Sequence, residues 1–234
     1  MYKDRKKIVV LTGAGMSAES GISTFRDSGG LWEQYKVEDV ATPEAFVRNP
    51  DLVHHFYNLR RRQLMEASPN TGHIGLVELE KDYDIQIITQ NVDNLHERAG
   101  SSSVLHLHGE LMKMRSTGPH ETIVEVAPDK LDYNTGDVCR QGFPLRPHIV
   151  WFGELVPAMD QAIARVKEAD ILVIIGTSLQ VYPAAGLINY TRQGTPVFLI
   201  DPNEVHVTRT NVQLIQKGAS VGVKDLKRLL KELV

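Results

Sequence analysis

Two histidines at i, i+2, in Leu105-His106-Leu107-His108-Gly109-Glu110, are the side chains in this sequence best suited to proton transfer. If the segment is extended both point to one face. They can then form a zinc pair with a third ligand such as His96 or His148, or one of them can act alone as a general base. Gly13-Ala14-Gly15-Met16-Ser17-Ala18 fits G-x-G-x-x-A, in which glycines allow a tight turn and a pyrophosphate sits against backbone at a helix N-terminus. An ordinary strand-to-helix turn has the same composition. Gly176-Thr177-Ser178 is a second small-residue turn able to receive phosphate or ribose. Thr89-Gln90-Asn91-Val92-Asp93-Asn94 gathers polar side chains for a hydrogen-bonding pocket, although such runs also cap helices. The glycine-rich stretch from Gly21 to Trp32 carries Phe25, Arg26 and Trp32; it suits a loop folding over a ligand, with Arg26 meeting phosphate or a ribose hydroxyl.

These groups need strands behind them. Lys7 to Thr12 is a short β-branched run that stops at glycine, as a buried parallel strand does, and Ile85 to Thr89, Ile171 to Ile175 and Val197 to Ile200 read alike. Thr89 and Ile175 end their runs just before two of the polar turns, and open α/β sheets bind ligands at the carboxyl ends of their strands. Helical periodicity is clearest over Pro157 to Ala169, Thr71 to Lys81 and Lys224 to Val234, and Ala41 to Glu66 reads as helical with Thr42-Pro43 as its entry. Alternating strands and helices predict a doubly wound parallel sheet. Between Met114 and Pro147 the pattern is lost, which predicts a small inserted module or a long loop outside that sheet. No strand ending in an acidic residue follows the first glycine turn by about 20 residues, so the order departs from the usual dinucleotide fold.

The chain has 234 residues, 42% hydrophobic and 24% charged, with a formal net charge of −3. This is the composition of a globular protein with a sizeable core and no basic stripe for nucleic acid. The apolar run at Ile8 to Leu11 is too short for a secretion signal, and no stretch approaches the ~20 apolar residues of a membrane span. A cytoplasmic protein is expected, with no nucleic-acid or membrane partner; the sequence carries no signal for an oligomeric state. The single cysteine, Cys139, excludes an internal disulfide.

In order and wording, GAGMSAESGISTFR, TQNVDNLHERAG, HLHGEL, RPHIVWFGE and IGTSLQVYPAAG together resemble the sirtuin family of NAD-dependent protein-lysine deacylases, over most of the chain from Val10 to Gly186. The resemblance implies one catalytic domain: a Rossmann-like doubly wound α/β part (about 1–35, 70–113 and 148–234) and a small module (about 36–69 and 114–147). It implies that NAD is held by Gly13, Ala14, Gly15, Ser17, Ala18, Phe25, Arg26 and Trp32 on the phosphate and nicotinamide side, and by Gln90, Asn91 and Asp93 around the nicotinamide ribose. Gly176, Thr177 and Ser178, with Asp201, Pro202, Asn203 and Ala219, would take the adenosine side; Asp201 stands where the family often has Asn. His108 rather than His106 would be the general base, with Asn91 positioning ribose and water. The family's route expels nicotinamide, forms an alkylimidate at the ribose, and yields O-acyl-ADP-ribose and free lysine. Val150, Phe152, Gly153 and Glu154 resemble the strand that pairs with an acyl-lysine protein or peptide.

Tyr57 and Arg60 share one helical face at i, i+3. A phenol and a guanidinium there can bind a carboxylate, although Arg60, Arg61 and Arg62 also read as a solvated basic run. Tyr-x-x-Arg is similar to the class III sirtuins, which include desuccinylases and demalonylases, so succinyl- or malonyl-lysine is the expected substrate class, with acetyl-lysine second. ADP-ribose transfer to protein, and a non-catalytic NAD-binding module, are the competing readings. The family usually binds a structural zinc through two cysteine pairs. Here only Cys139 remains, and His120 beside it leaves a tetrahedral site two ligands short. No zinc is expected, and Ile123, Val124, Val126, Leu131, Tyr133 and Phe143 are the candidates to hold the module.

Overall fold

Runs of β-branched residues buried on both faces require a sheet covered on both sides, and the computed structural model, which describes residues 5–22, 34–120, 122–205, 207 and 211–232, has that form. In chain order the elements are β1 (Lys7–Thr12), α1 (Gly15–Ala18), α2 (Val37–Val40), α3 (Pro43–Arg48), α4 (Pro50–Glu66), α5 (Thr71–Leu79), β2 (Asp84–Thr89), α6 (Leu95–Ala99), β3 (Val104–His106), β4 (Gly109–Ser116), β5 (Ile123–Glu125), β6 (Leu145–Ile149), α7 (Met159–Glu168), β7 (Ile171–Ile175), a 3₁₀ segment (Ala184–Tyr190), β8 (Val197–Ile200), β9 (Val212–Ile215) and α8 (Ala219–Glu232). The main sheet is parallel throughout in the order β3-β2-β1-β7-β8-β9, so the chain order reverses between β1 and β7. Alternate residues serve opposite faces: Ile8, Val10, Ile87 and Val173 pack with Leu76 and Val223 of α5 and α8, while Val9, Leu11, Leu172 and Ile174 pack with Val166 of α7 and Leu187. Each such buried side chain contributes about 1.5–3 kcal/mol.

Ala41 to Glu66 is not one helix. Pro50 cannot donate to the preceding turn, so the chain breaks at Asn49, whose side chain caps Leu52 N while Thr42 caps Ala45 N. The last helix begins at Ala219, five residues before the expected Lys224. The edge strands β3 and β9, of three and four residues, are too short to read as strands.

Met114 to Pro147 is not a loop. It supplies most of a second, antiparallel sheet of order β5-β4-β6. Val126 and Tyr133 are buried in it as expected, but Ile123 and Phe143 face outward and the core is completed by Met114, Cys139 and Leu145. Strand alternation explains Ile123, since its neighbour Val124 takes the inner position. Among the described residues no group of three or more His, Cys, Asp or Glu is arranged to hold a metal.

The basic run on α4 is also not a solvated patch. Arg61 is fully buried; its Nε donates to Leu111 O at 2.9 Å, its Nη1 to Asn58 Oδ1 at 2.6 Å and Leu131 O at 3.2 Å, and Tyr133 lies over its guanidinium. Arg62 pairs at the surface with Asp132. Three backbone and side-chain links therefore run from one arginine into the small sheet and the loop after it.

Among the described residues three histidines are buried, His54, His73 and His96, with His73 and His96 ring to ring at 4.8 Å. Burial lowers the pKa of each, that of His73 to about 4. A depressed folded-state pKa means the unfolded chain takes up the proton first, so this stability is complete above about pH 6.5 and is lost as pH falls toward 4. The melting temperature is expected to be level from pH 8 to 7 and to drop steeply from pH 6 to 4.5, and replacing His73 with a neutral glutamine should flatten that drop.

Candidate active site

The carboxyl ends of β1, β2 and β7 meet where the strand order reverses. The turns after β1 and β7 touch backbone to backbone: Gly13 N donates to Ile175 O at 3.0 Å and Gly15 N to Gly176 O at 2.9 Å. A Cβ on Gly13 would lie 2.7 Å from Gly176 O, and one on Gly15 2.7 Å from Gly176 Cα, which is why glycine is required at both. Ala14 and Ala18 flank this turn at the surface and Ser17 points inward.

Beneath the turn the polar residues after β2 form one connected network. Asn91 Nδ2 donates to Gly13 O at 3.0 Å and Ser17 Oγ at 3.2 Å; Ser17 Oγ donates to Asp93 Oδ2 at 2.9 Å; Asp93 Oδ1 accepts from Leu95 N at 3.1 Å. Asn91 and Asp93 are buried, and burial pushes the Asp93 carboxyl above its ordinary value against those donations. Gln90 Nε2 donates to Thr177 Oγ1 at 3.2 Å, tying β2 to the turn after β7. Thr89, the first of that polar stretch, and Thr12, the end of β1, close the network below: their hydroxyls bond at 2.8 Å and Thr89 Oγ1 accepts from Asn91 N. Asp93 thus serves both a helix end and the pocket.

The two histidines do face one way, and their partners separate them. His106 bonds Asn91 O through Nδ1 at 2.9 Å and the Glu97 carboxylate through Nε2 at 2.8 Å, so both nitrogens carry protons. Burial opposes that charge, but Glu97 outweighs it and holds the His106 pKa above the ordinary value. His108 bonds Gln90 O through Nδ1 at 3.0 Å, and burial lowers its pKa. A carbonyl only accepts, so Nδ1 carries the proton and Nε2 keeps its lone pair: His108 offers a free base nitrogen, whereas both nitrogens of His106 face acceptors. Gly109, at φ +80 with His148 O 2.0 Å from its would-be Cβ, turns the chain from His108 into β4.

Asp201 is buried after β8 and accepts from Asn203 N; with Glu204, Val205 and Ile215 these two line a cavity of about 300 Å³, while Pro202 is exposed. Ala219 opens α8, where Ser220 N donates to Glu19 Oε1 at 3.0 Å; Glu19, unnoticed in the sequence, thereby draws α8 to the end of α1. Val150 to Glu154 is a turn rather than a strand, since β6 ends at Ile149 and Glu154 N donates to Trp151 O. Phe152 and Gly153 are exposed there, Val150 N donates to His108 O, and the Glu154 side chain is occupied by Arg146 and Arg115. Tyr57 is buried on α4 with its hydroxyl 3.0 Å from Trp151 Nε1, and the Arg60 guanidinium lies 5.7 Å from the centres of the Phe56 and Tyr57 rings. Phe25, Arg26 and Trp32 lie outside the described residues.

The Sir2 family model matches residues 13–183, nearly three-quarters of the sequence. The chain belongs to the Sir2 family. An NAD-dependent protein deacylase from Bacteroides thetaiotaomicron is 58% identical over 230 residues, covering 96% of this chain and 98% of that protein. One from Helicobacter pylori is 50% identical, covering 97% and 99%. Among solved structures a Sir2 homolog–NAD complex matches with a TM-score of 0.87 at 39% identity over 98% of this chain and 91% of that one. A Sir2 homologue mutant in complex with ADP-ribose gives 0.88 at 39%, over 98% and 93%. The Sir2 match takes in both glycine turns, the Gln90 to Asp93 network, both histidines and the Tyr57 and Arg60 pair; Asp201 to Asn203 and Ala219 lie beyond it.

Among the described residues no helix is long and apolar enough to cross a membrane.

Proposed function

We propose that this chain, a Sir2 NAD-dependent protein deacylase, acts by preference on lysines carrying acidic acyl groups, succinyl or malonyl, with acetyl-lysine as a second substrate. The observation that carries the acyl preference is the burial of Tyr57 with Arg60 beside it, close to Arg146 and Arg115, which share one carboxylate, Glu154. The Arg60, Arg115 and Arg146 guanidinium groups face two carboxylates, Glu154 and, near Arg60, Asp93, so one positive charge is left over at this end of α4, and a guanidinium binds a carboxylate through paired hydrogen bonds.

NAD, when bound, supplies an electrophilic ribose carbon with nicotinamide as its leaving group, and its ADP-ribose carries the acyl group away. The donor set fits it: apposed glycine turns for phosphate, and buried Ser17, Asn91 and Asp93 with Gln90 for ribose and carboxamide. Asn91, fixed by Gly13 O and Ser17, orients the ribose hydroxyls and excludes loose water. His108 Nε2 would take a proton from a ribose hydroxyl of bound NAD; the Gln90 carbonyl holds the ring in the tautomer that can accept it. The turn from Val150 to Glu154 offers an extended peptide the backbone of its exposed Phe152 and Gly153, since the N–H groups of Val150, Trp151, Phe152 and Glu154 are donated within the chain.

The test is NAD-dependent turnover of matched succinyl- and acetyl-lysine peptides, with deacylated peptide and nicotinamide followed by mass spectrometry. In Arg60→Met, succinyl kcat/KM is expected to fall about 10- to 100-fold, the loss of charge-assisted hydrogen bonds, and acetyl kcat/KM far less. Parallel losses on both peptides would refute the acyl reading; nicotinamide release with ADP-ribose left on the peptide would replace deacylation by ADP-ribose transfer.

A further inference from the structure

Tyr57 is fully buried; its hydroxyl accepts from Trp151 Nε1 at 3.0 Å, and the Arg60 guanidinium is its second neighbour within side-chain hydrogen-bonding reach. A phenol oxygen has two directions in the ring plane, one for its proton and one for a lone pair. With the indole N–H occupying the lone-pair direction, the proton is confined to the other. Trp151 is itself held from three sides. Arg146 stacks on its ring with the guanidinium carbon 3.4 Å from the centroid. Glu154 Oε2 accepts from Trp151 N at 2.7 Å, and Arg146 binds the same Glu154 carboxylate through two hydrogen bonds of 2.6 and 3.0 Å. Arg115 reaches Glu154 Oε1 at 3.2 Å. The turn that offers backbone to the peptide and the helix that carries Tyr57 and Arg60 are thus joined through one indole.

We propose that Trp151 is a positioning residue for acyl selectivity: its N–H orients the Tyr57 hydroxyl so that the phenolic proton is presented to the terminal carboxylate of the acyl chain. The proposal rests on the acidic-acyl reading above. Its chemistry is a donor fixed in advance, so that no rotamer freedom of the hydroxyl is lost when the carboxylate arrives. Phenylalanine at 151 keeps a ring beneath Arg146 and removes the donor together with part of the buried ring volume, a loss that acts on both peptides alike.

Kinetics on succinyl- and acetyl-lysine forms of one peptide, for the unmodified chain, Trp151→Phe, Tyr57→Phe and the double variant, test this. Trp151→Phe is expected to lower the succinyl-to-acetyl ratio of kcat/KM about tenfold, mainly through succinyl KM. Added to Tyr57→Phe, it should lower that ratio no further. Equal losses on both peptides, or the same loss in selectivity with and without the Tyr57 hydroxyl, would overturn the proposal and leave the acyl reading standing. An unmodified chain that deacetylates but leaves succinyl-lysine untouched would overturn both. A readout that needs no variant at 151 is the indole N–H resonance. The chain has two tryptophans, and Trp32→Phe identifies the Trp151 signal. It is expected to move with the succinyl peptide and not with the acetyl peptide; equal movement with both would count against it.

Discussion

Replacing His108 with alanine is expected to lower kcat for deacylation by about 10²–10⁴-fold, the usual contribution of a general base. KM for NAD should change little, because the network that surrounds the ribose runs through Gln90, Asn91, Ser17 and Asp93 and not through the imidazole. The pH dependence is a second signature. Burial holds the His108 pKa below 6.5, so kcat should be level above neutrality and fall only as the solution becomes more acidic than that lowered pKa. Replacing His106 with alanine should act differently. That ring bridges Asn91 O and Glu97, so its loss is expected to loosen the Asn91 turn and lower the melting temperature along with activity, without abolishing turnover. If the His106 variant were the inactive one and the His108 variant nearly normal, the assignment of the base would be reversed.

Replacing Arg61 with methionine is expected to destabilise the protein by about 3–5 kcal/mol, measured by urea denaturation. The size follows from what is left behind: the Leu111 and Leu131 carbonyls lose a charged donor in the interior, while Asn58 Oδ1 keeps its bond from Tyr133 N, and unmatched buried acceptors cost about 1–3 kcal/mol apiece. Methionine fills the aliphatic volume, so the loss isolates the guanidinium. Arg62→Met serves as the comparison, since its pair with Asp132 is half exposed and such pairs contribute about 0–1 kcal/mol. Similar stabilities for the two variants would show that the small sheet is held by its apolar core alone.

Sequence pattern served best where it was repetitive or glycine-rich. The four central strands run close to their expected bounds, because continuous β-branched runs have few other uses. The glycine turns were legible for the same reason, since close backbone approach leaves a composition behind. Local pattern failed at Asn49-Pro50, where a cap and a proline divide one apolar periodicity into two helices, and at the edge strands, whose three or four residues carry too little periodicity to register. It also misread Arg61: three arginines in a row look alike, and nothing in their spacing says that one is buried under Tyr133, one lies against Phe56 and Tyr57, and one is at the surface.

The sequence by itself determined the parallel doubly wound class, the ligand end of the sheet and the family, since each rests on residue types repeated at fixed spacing. Only the tertiary structure shows how the two histidines differ in their partners, what clamps Trp151 and what joins the small sheet to α4. Those depend on partners far away in sequence: the Gln90 carbonyl for His108, Glu97 for His106, and Leu111 and Leu131 for Arg61. Protonation and burial belong to a side chain's surroundings, and surroundings assembled across such separations leave no local trace in the residues that share them.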